Sequence, residues 1–228
     1  MFFDPLYLLM IAPAMILTLW AQWKVKRSYR KYAQVPSSSG LTGAQVARSI
    51  LSGNGLHNVR IEEIDGVLTD HYDPASRVLR LSPGVYAGRS VSAAGIAAHE
   101  CGHALQHAAA YAPLALRQTL APAAIWGSKL SWIFIMVGFF IHSLSGLVWV
   151  GIGLFSLAVA FSLITLPVEF DASARAKKVL PALGLVSTSD RDGVAAVLNA
   201  AAMTYVAAAA SAILTLLYFL LRANGSRN

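Results

Sequence analysis

Long stretches without charge alternate with shorter charged ones along the chain. Met1 to Gln22 carries one charge, Asp4, and no Asp, Glu, Lys or Arg occurs from Leu130 to Val168 or from Gly193 to Leu221. A bilayer core takes about 20 apolar residues per helix, so these stretches have room for one, two and one spans. The first predicted span runs from about Leu6 to Trp23, with Trp20 and Trp23 suited to an interfacial belt. Ser143-Leu144-Ser145-Gly146 divides the middle stretch into Trp132–Ile141 and Leu147–Leu166, which predicts a helical hairpin crossing the membrane twice. A last span is expected over about Ala201 to Leu221.

The segments between are patterned differently. Pro36-Ser37-Ser38-Ser39-Gly40 reads as a linker, and Thr42-Gly43-Ala44-Gln45 as a capping box opening a helix that buries Val46, Ile50 and Leu51. Gly53 and Gly55 should stop it. Val59 with Ile61, Val67 to Thr69, and Val78 to Leu81 are short strand candidates, with Asp73-Pro74 in the turn joining the last two. From Val91 to about Tyr111 the pattern is helical and made of small or apolar residues, and Pro113 and Pro122 are expected to interrupt the stretch after it. Asp171 to Asn199 is amphipathic and charged, with breaks at Pro181 and Gly184.

Composition agrees with a membrane chain. It is 56% hydrophobic and 13% charged, against roughly 25% charged residues in ordinary soluble domains. The net charge of +7 is explained by placement. Lys24, Lys26, Arg27, Arg30 and Lys31 follow the first apolar run directly, where basic residues mark the cytoplasmic side and meet lipid headgroups. A nucleic-acid partner is therefore not expected, and the lipid bilayer is. Arg222 and Arg227 in the tail mildly oppose this orientation. The first run is long for a signal peptide and precedes its basic cluster, so it is expected to be retained. Cys101 is the sole cysteine, which excludes a disulfide framework and leaves any metal site to His and carboxylates.

His99-Glu100-Cys101-Gly102-His103 is an H-E-x-x-H sequence within the small-residue helix. At 3.6 residues per turn His99 and His103 stand one above the other, so two imidazoles can share one metal ion. Glu100 lies about 100° around the helix, beside the ligand face, where it can act as general base on water activated by zinc. A catalytic zinc usually takes three protein ligands. His107 is too far along the helix to close the site, which leaves the downstream carboxylates Glu169, Asp171, Asp190 and Asp192. Glu169 stands where the predicted hairpin leaves the bilayer, and two crossings return it to the side of His103.

Four blocks of the chain resemble the YugP-like neutral zinc metallopeptidases of bacterial membranes. They are Leu68-Thr69-Asp70-His71-Tyr72-Asp73-Pro74, Ala97-Ala98-His99-Glu100-Cys101-Gly102-His103-Ala104-Leu105-Gln106, Thr165-Leu166-Pro167-Val168-Glu169-Phe170-Asp171-Ala172-Ser173 and Thr204-Tyr205-Val206-Ala207. Their order and spread over nearly the whole chain make this match more specific than the metal motif alone. The resemblance implies a gluzincin-type zinc peptidase with Glu169 as third ligand. More distantly, the chain is similar to the HtpX and CAAX-prenyl membrane proteases, where an acidic residue follows the third ligand by four positions. Here that position is Ser173, so an acidic group orienting a ligand histidine is expected from Asp70 or Asp73 instead.

The expected fold is a mainly α membrane protein with about four transmembrane helices and a small α+β zincin-like catalytic part at the membrane surface. Its divisions are transmembrane helix 1 over residues 1–23, a cytoplasmic α+β segment with the H-E-x-x-H helix over 24–123, and a transmembrane hairpin over 124–168. A cytoplasmic helical segment over 169–200 and transmembrane helix 4 with a short tail over 201–228 complete it. The expected activity is zinc-dependent endopeptidase action on membrane-associated or misfolded proteins. Glu100 is the catalytic residue, one Zn2+ per chain sits on His99, His103 and Glu169, and the location is a bacterial plasma membrane with the site on the cytoplasmic side. An intramembrane protease and a catalytically silent zinc-binding scaffold are the alternatives. Arg175 reads as a membrane anchor or an oxyanion donor, His71 as a turn residue or a substrate or second-layer metal contact, and Cys101 as packing. Val78 to Ser82 is expected as the edge strand that pairs with substrate.

Overall fold

The computed structural model describes residues 5–225. The described chain is mainly helical with one small sheet. Helices α1 (Pro5–Ala33), α5 (Ala112–Phe140), α6 (Gly146–Ala182) and α7 (Thr188–Gly225) are long and apolar enough to cross a membrane. Between α1 and α5 come α2 (Gly43–Gly53), β1 (Arg60–Glu63), β2 (His71–Asp73), β3 (Val78–Leu81), α3 (Pro83–Tyr86) and α4 (Val91–Ala108).

The chain divides into two compact units. One comprises parts of the four long helices: the chain up to Ala21, Ala115–Pro167, and Thr204 onward. Its core gathers Ile135, Val148, Ile152, Tyr218 and Phe219. The hydroxyls of Ser156, Ser162, Thr165, Ser211 and Thr215 each donate to the carbonyl four residues earlier. They are thus satisfied inside their own helices, as an apolar surrounding requires. Gly151 lets α5 and α6 touch, because a Cβ there would meet the Ser131 carbonyl oxygen at 2.8 Å. The expected hairpin turn is present as a single 3-10 turn at His142–Leu144.

Two breaks expected at prolines are absent. Pro113 occupies the first turn of α5, where no N–H is needed, and Pro122 lies inside α5 without ending it. The charged segment expected after the hairpin is made of the end of α6 and the start of α7. Of its two expected breaks the one at Gly184 is present, whereas Pro181 lies within the last turn of α6. α6 runs on to Ala182, and Gly184 at φ +65° turns the chain into α7.

The second unit comprises Gln22–Leu114 and Val168–Met203. The capping box at Thr42 and Gln45 opens α2. Val46, Ile50 and Leu51 of α2 pack with Leu79 and Leu81 of β3, Ala94, Ala97 and Cys101 of α4, Leu180 of α6 and Leu198 of α7. The sheet order is β1-β3-β2, with β1 parallel and β2 antiparallel to β3. The Val78–Ser82 segment is therefore the centre of the sheet. Both sides of β3 are already paired, so it cannot be the edge that accepts another chain, and β2 is the edge joined to α4. The strand expected at Val67–Thr69 is loop, because Leu68 has φ 58°, a left-handed conformation that a strand cannot hold.

Candidate metal centre

Ser90 caps α4 by accepting from the Ala93 N–H. From this helix His99 and His103 project together, their rings 4.9 Å apart and close to perpendicular. α6 crosses the same face at contact distance. A Cβ on Gly102 would stand 2.5 Å from the Ala172 carbonyl oxygen, so glycine is what lets the two backbones meet there. That approach brings Glu169 and Ser173 over the histidines. Glu169 Oε2 lies 3.2 Å from His99 Nε2 and 3.7 Å from His103 Nε2.

One ligand atom from each of His99, His103 and Glu169 falls within 4.8 Å of the others. Glu169 is 2% exposed, and a carboxylate that deep is stable only with cationic partners or a metal. Two imidazole nitrogens and one carboxylate oxygen on two rigid helices are a donor set that fits tetrahedral zinc with a fourth position open. Burial opposes a charge on His103, but the neighbouring Glu169 and Glu100 carboxylates and Gln106 outweigh it and hold its pKa above the ordinary imidazole value. Glu100 is 8% exposed, and among the described residues no hydrogen bond or ion pair reaches its carboxylate.

Both rings are held from behind. Ser173 Oγ is 3.1 Å from His99 Nδ1, so the serine four positions after Glu169 contacts the first histidine of the cluster. Gln106 Oε1 is 3.0 Å from His103 Nδ1. The Gln106 amide nitrogen donates to the Val168 carbonyl and to Asp171 Oδ2, both at 2.8 Å. Arg175 Nε donates to the same Asp171 oxygen at 2.6 Å and lies over the Tyr111 ring. Gln106 was legible in principle: three residues beyond His103 on a helix is a neighbouring position, and a glutamine is out of place in so apolar a stretch.

Asp70 and Asp73 do not supply the expected orienting acid. Asp70 accepts from the N–H and hydroxyl of Ser82, and Asp73 caps its own turn through Ala75 and Ser76. Both are held by the sheet connections that contain them. His71 is not in a turn: it is the first residue of β2, where it donates to the Thr69 carbonyl and receives Arg80. His107 Nδ1 meets the Tyr72 hydroxyl at 2.9 Å, one turn beyond the cluster. Cys101 is fully buried beside the Ala47 carbonyl, and burial pushes its thiol pKa up; it is core packing.

Comparison with known proteins matches residues 7–224 to the family described as "Putative neutral zinc metallopeptidase". The chain is 48% identical over 216 residues to "Putative membrane protease YugP" of Bacillus subtilis (strain 168), covering 95% of this chain and 96% of that protein. No solved structure matches the chain.

Proposed function

The chain belongs to the neutral zinc metallopeptidase family, and from that premise we propose that it is a gluzincin-type endopeptidase acting on membrane-associated or misfolded proteins. The observation that carries this reading is the meeting of His99, His103 and Glu169 within 4.8 Å. These three residues would hold one zinc ion per chain. Zinc, when bound, supplies Lewis acidity that polarises the scissile carbonyl and makes water a nucleophile near neutral pH.

The remaining chemistry belongs to side chains. Glu100 takes the proton of the attacking water and delivers it to the leaving amine. Among the described residues no hydrogen-bond donor reaches its oxygens, which suits a group that must accept and release a proton within one turnover. Ser173 and Gln106 keep the two rings aimed at one point.

Four long apolar helices and a relative named as a membrane protease support a multi-pass membrane protein. We assign it to the bacterial plasma membrane with the site on the cytoplasmic side, the side favoured by the basic residues from Lys24 to Lys31. Ser38 donates to Asp190 through both its N–H and its hydroxyl. That contact supports one shared side for the segments before and after the hairpin.

Glu100→Gln tests the proposal. The substitution keeps size and removes the base, so zinc content and membrane insertion should be unchanged while turnover of membrane proteins in cells falls by about 10²–10⁴-fold. Equal turnover by both forms, with zinc bound in both, would leave the scaffold reading in its place.

A further inference from the structure

The contacts behind the two histidines are not equivalent. Ser173 meets His99 through a hydroxyl, which can donate or accept, so it holds the ring without choosing which nitrogen carries the proton. Gln106 has no such freedom. Its amide nitrogen faces two groups that can only accept, the Val168 carbonyl and the Asp171 carboxylate. The nitrogen must occupy that position, and Oε1 must face His103. Oε1 can only accept, so His103 Nδ1 must carry a proton, which leaves Nε2, on the Glu169 side, as the nitrogen whose lone pair is available to a metal ion.

From this geometry we infer that Gln106 and Asp171 are positioning residues that lock the tautomer and orientation of His103 for metal binding. The inference rests on the zinc reading of the centre. Gln106 is fully buried, so water cannot replace its contacts. Asp171 is the outer anchor, with a side chain 30% exposed, and Arg175 holds it in place. Its negative charge polarises the amide and strengthens the acceptor that His103 sees. The network spans α4 and α6, so it also ties the helix bearing His103 to the helix bearing Glu169.

The role can be separated from simple packing by reversing the hydrogen-bond directions. Gln106→Glu keeps the size and still accepts from His103, but its second oxygen then faces the Asp171 carboxylate. Adding Asp171→Asn sets an amide N–H against the new carboxylate and restores that donor–acceptor pair at no change in volume, while Arg175, which shared the same Asp171 oxygen, must turn to the remaining amide oxygen or to solvent. Gln106→Leu removes every contact.

The measurement is the zinc dissociation constant of the purified full chain in detergent, by competition with a chromogenic chelator, with helix content followed by circular dichroism. Gln106→Leu and Gln106→Glu should each bind zinc about 10–100-fold more weakly, the range for groups behind metal ligands. The Gln106→Glu, Asp171→Asn double variant should recover at least half of that loss on a logarithmic scale. Rescue is the readout that a packing role does not predict.

Wild-type affinity in a folded Gln106→Leu chain overturns the inference. If that variant does not fold, a double variant no tighter than Gln106→Glu alone overturns it. A wild-type chain without stoichiometric zinc, or His103→Ala retaining it, brings down the zinc reading itself; failure confined to Gln106 and Asp171 leaves that reading standing.

Discussion

Replacing Gly102 with alanine perturbs the candidate centre without touching any of its functional groups. The new Cβ would lie 2.5 Å from the Ala172 carbonyl oxygen and 3.0 Å from its Cα. A carbon–oxygen contact settles near 3.3 Å, so relief along this line parts α4 and α6 by about 0.8 Å. The obstructing atoms are backbone, and no side chain can rotate away. Zinc–ligand distances tolerate deviations of about 0.2 Å. If only half of the displacement reaches Glu169, the centre is still opened by about twice that tolerance.

Overpacking costs about 1–3 kcal/mol, against which alanine in a helix recovers about 0.5–1 kcal/mol relative to glycine. The protein should therefore fold, with zinc affinity reduced at least tenfold, or about 1.4 kcal/mol. Gly95→Ala on the same helix is the internal control. Its Cβ meets Val194 Cγ1 at 3.5 Å, an ordinary contact, so zinc affinity should not change and stability should hold or rise. Chelator competition on both variants in detergent decides the matter. Zinc bound by Gly102→Ala as tightly as by the wild type would refute the claim that this contact sets the ligand geometry.

Glu169→Ala should lose its zinc on dialysis, as should His99→Ala and His103→Ala; wild-type metal content in Glu169→Ala would overturn the third-ligand assignment. In a Cys101→Ser background, cysteines at Ser38 and Asp192 should be labelled from the cytoplasmic side and one at Ser145 from outside, and labelling of the first two from opposite faces would remove the two-crossing hairpin. Leu81→Ala, at a fully buried position on the central strand, should cost about 2–5 kcal/mol, read as a lowered unfolding temperature with β1 and β2 becoming sensitive to protease.

Regularities short in sequence were legible without the structure. Four long apolar helices follow from where charge is missing, because a bilayer imposes one length on each span. The capping box at Thr42, the turn near Ser143 and the common face of His99 and His103 are set by a few neighbouring residues and the helical repeat. Tertiary structure alone decided the rest. β3 became the central strand because pairing partners are chosen across the sheet, which alternation within a strand does not encode. Pro122 stayed inside α5, and α6 continued past Glu169, because the neighbouring turns and packing override local propensity. Gln106 and Asp171 are 65 residues apart, on helices whose approach depends on the missing Cβ of Gly102. Their partnership exists only where two backbones touch, and one-dimensional periodicity carries no record of that distance.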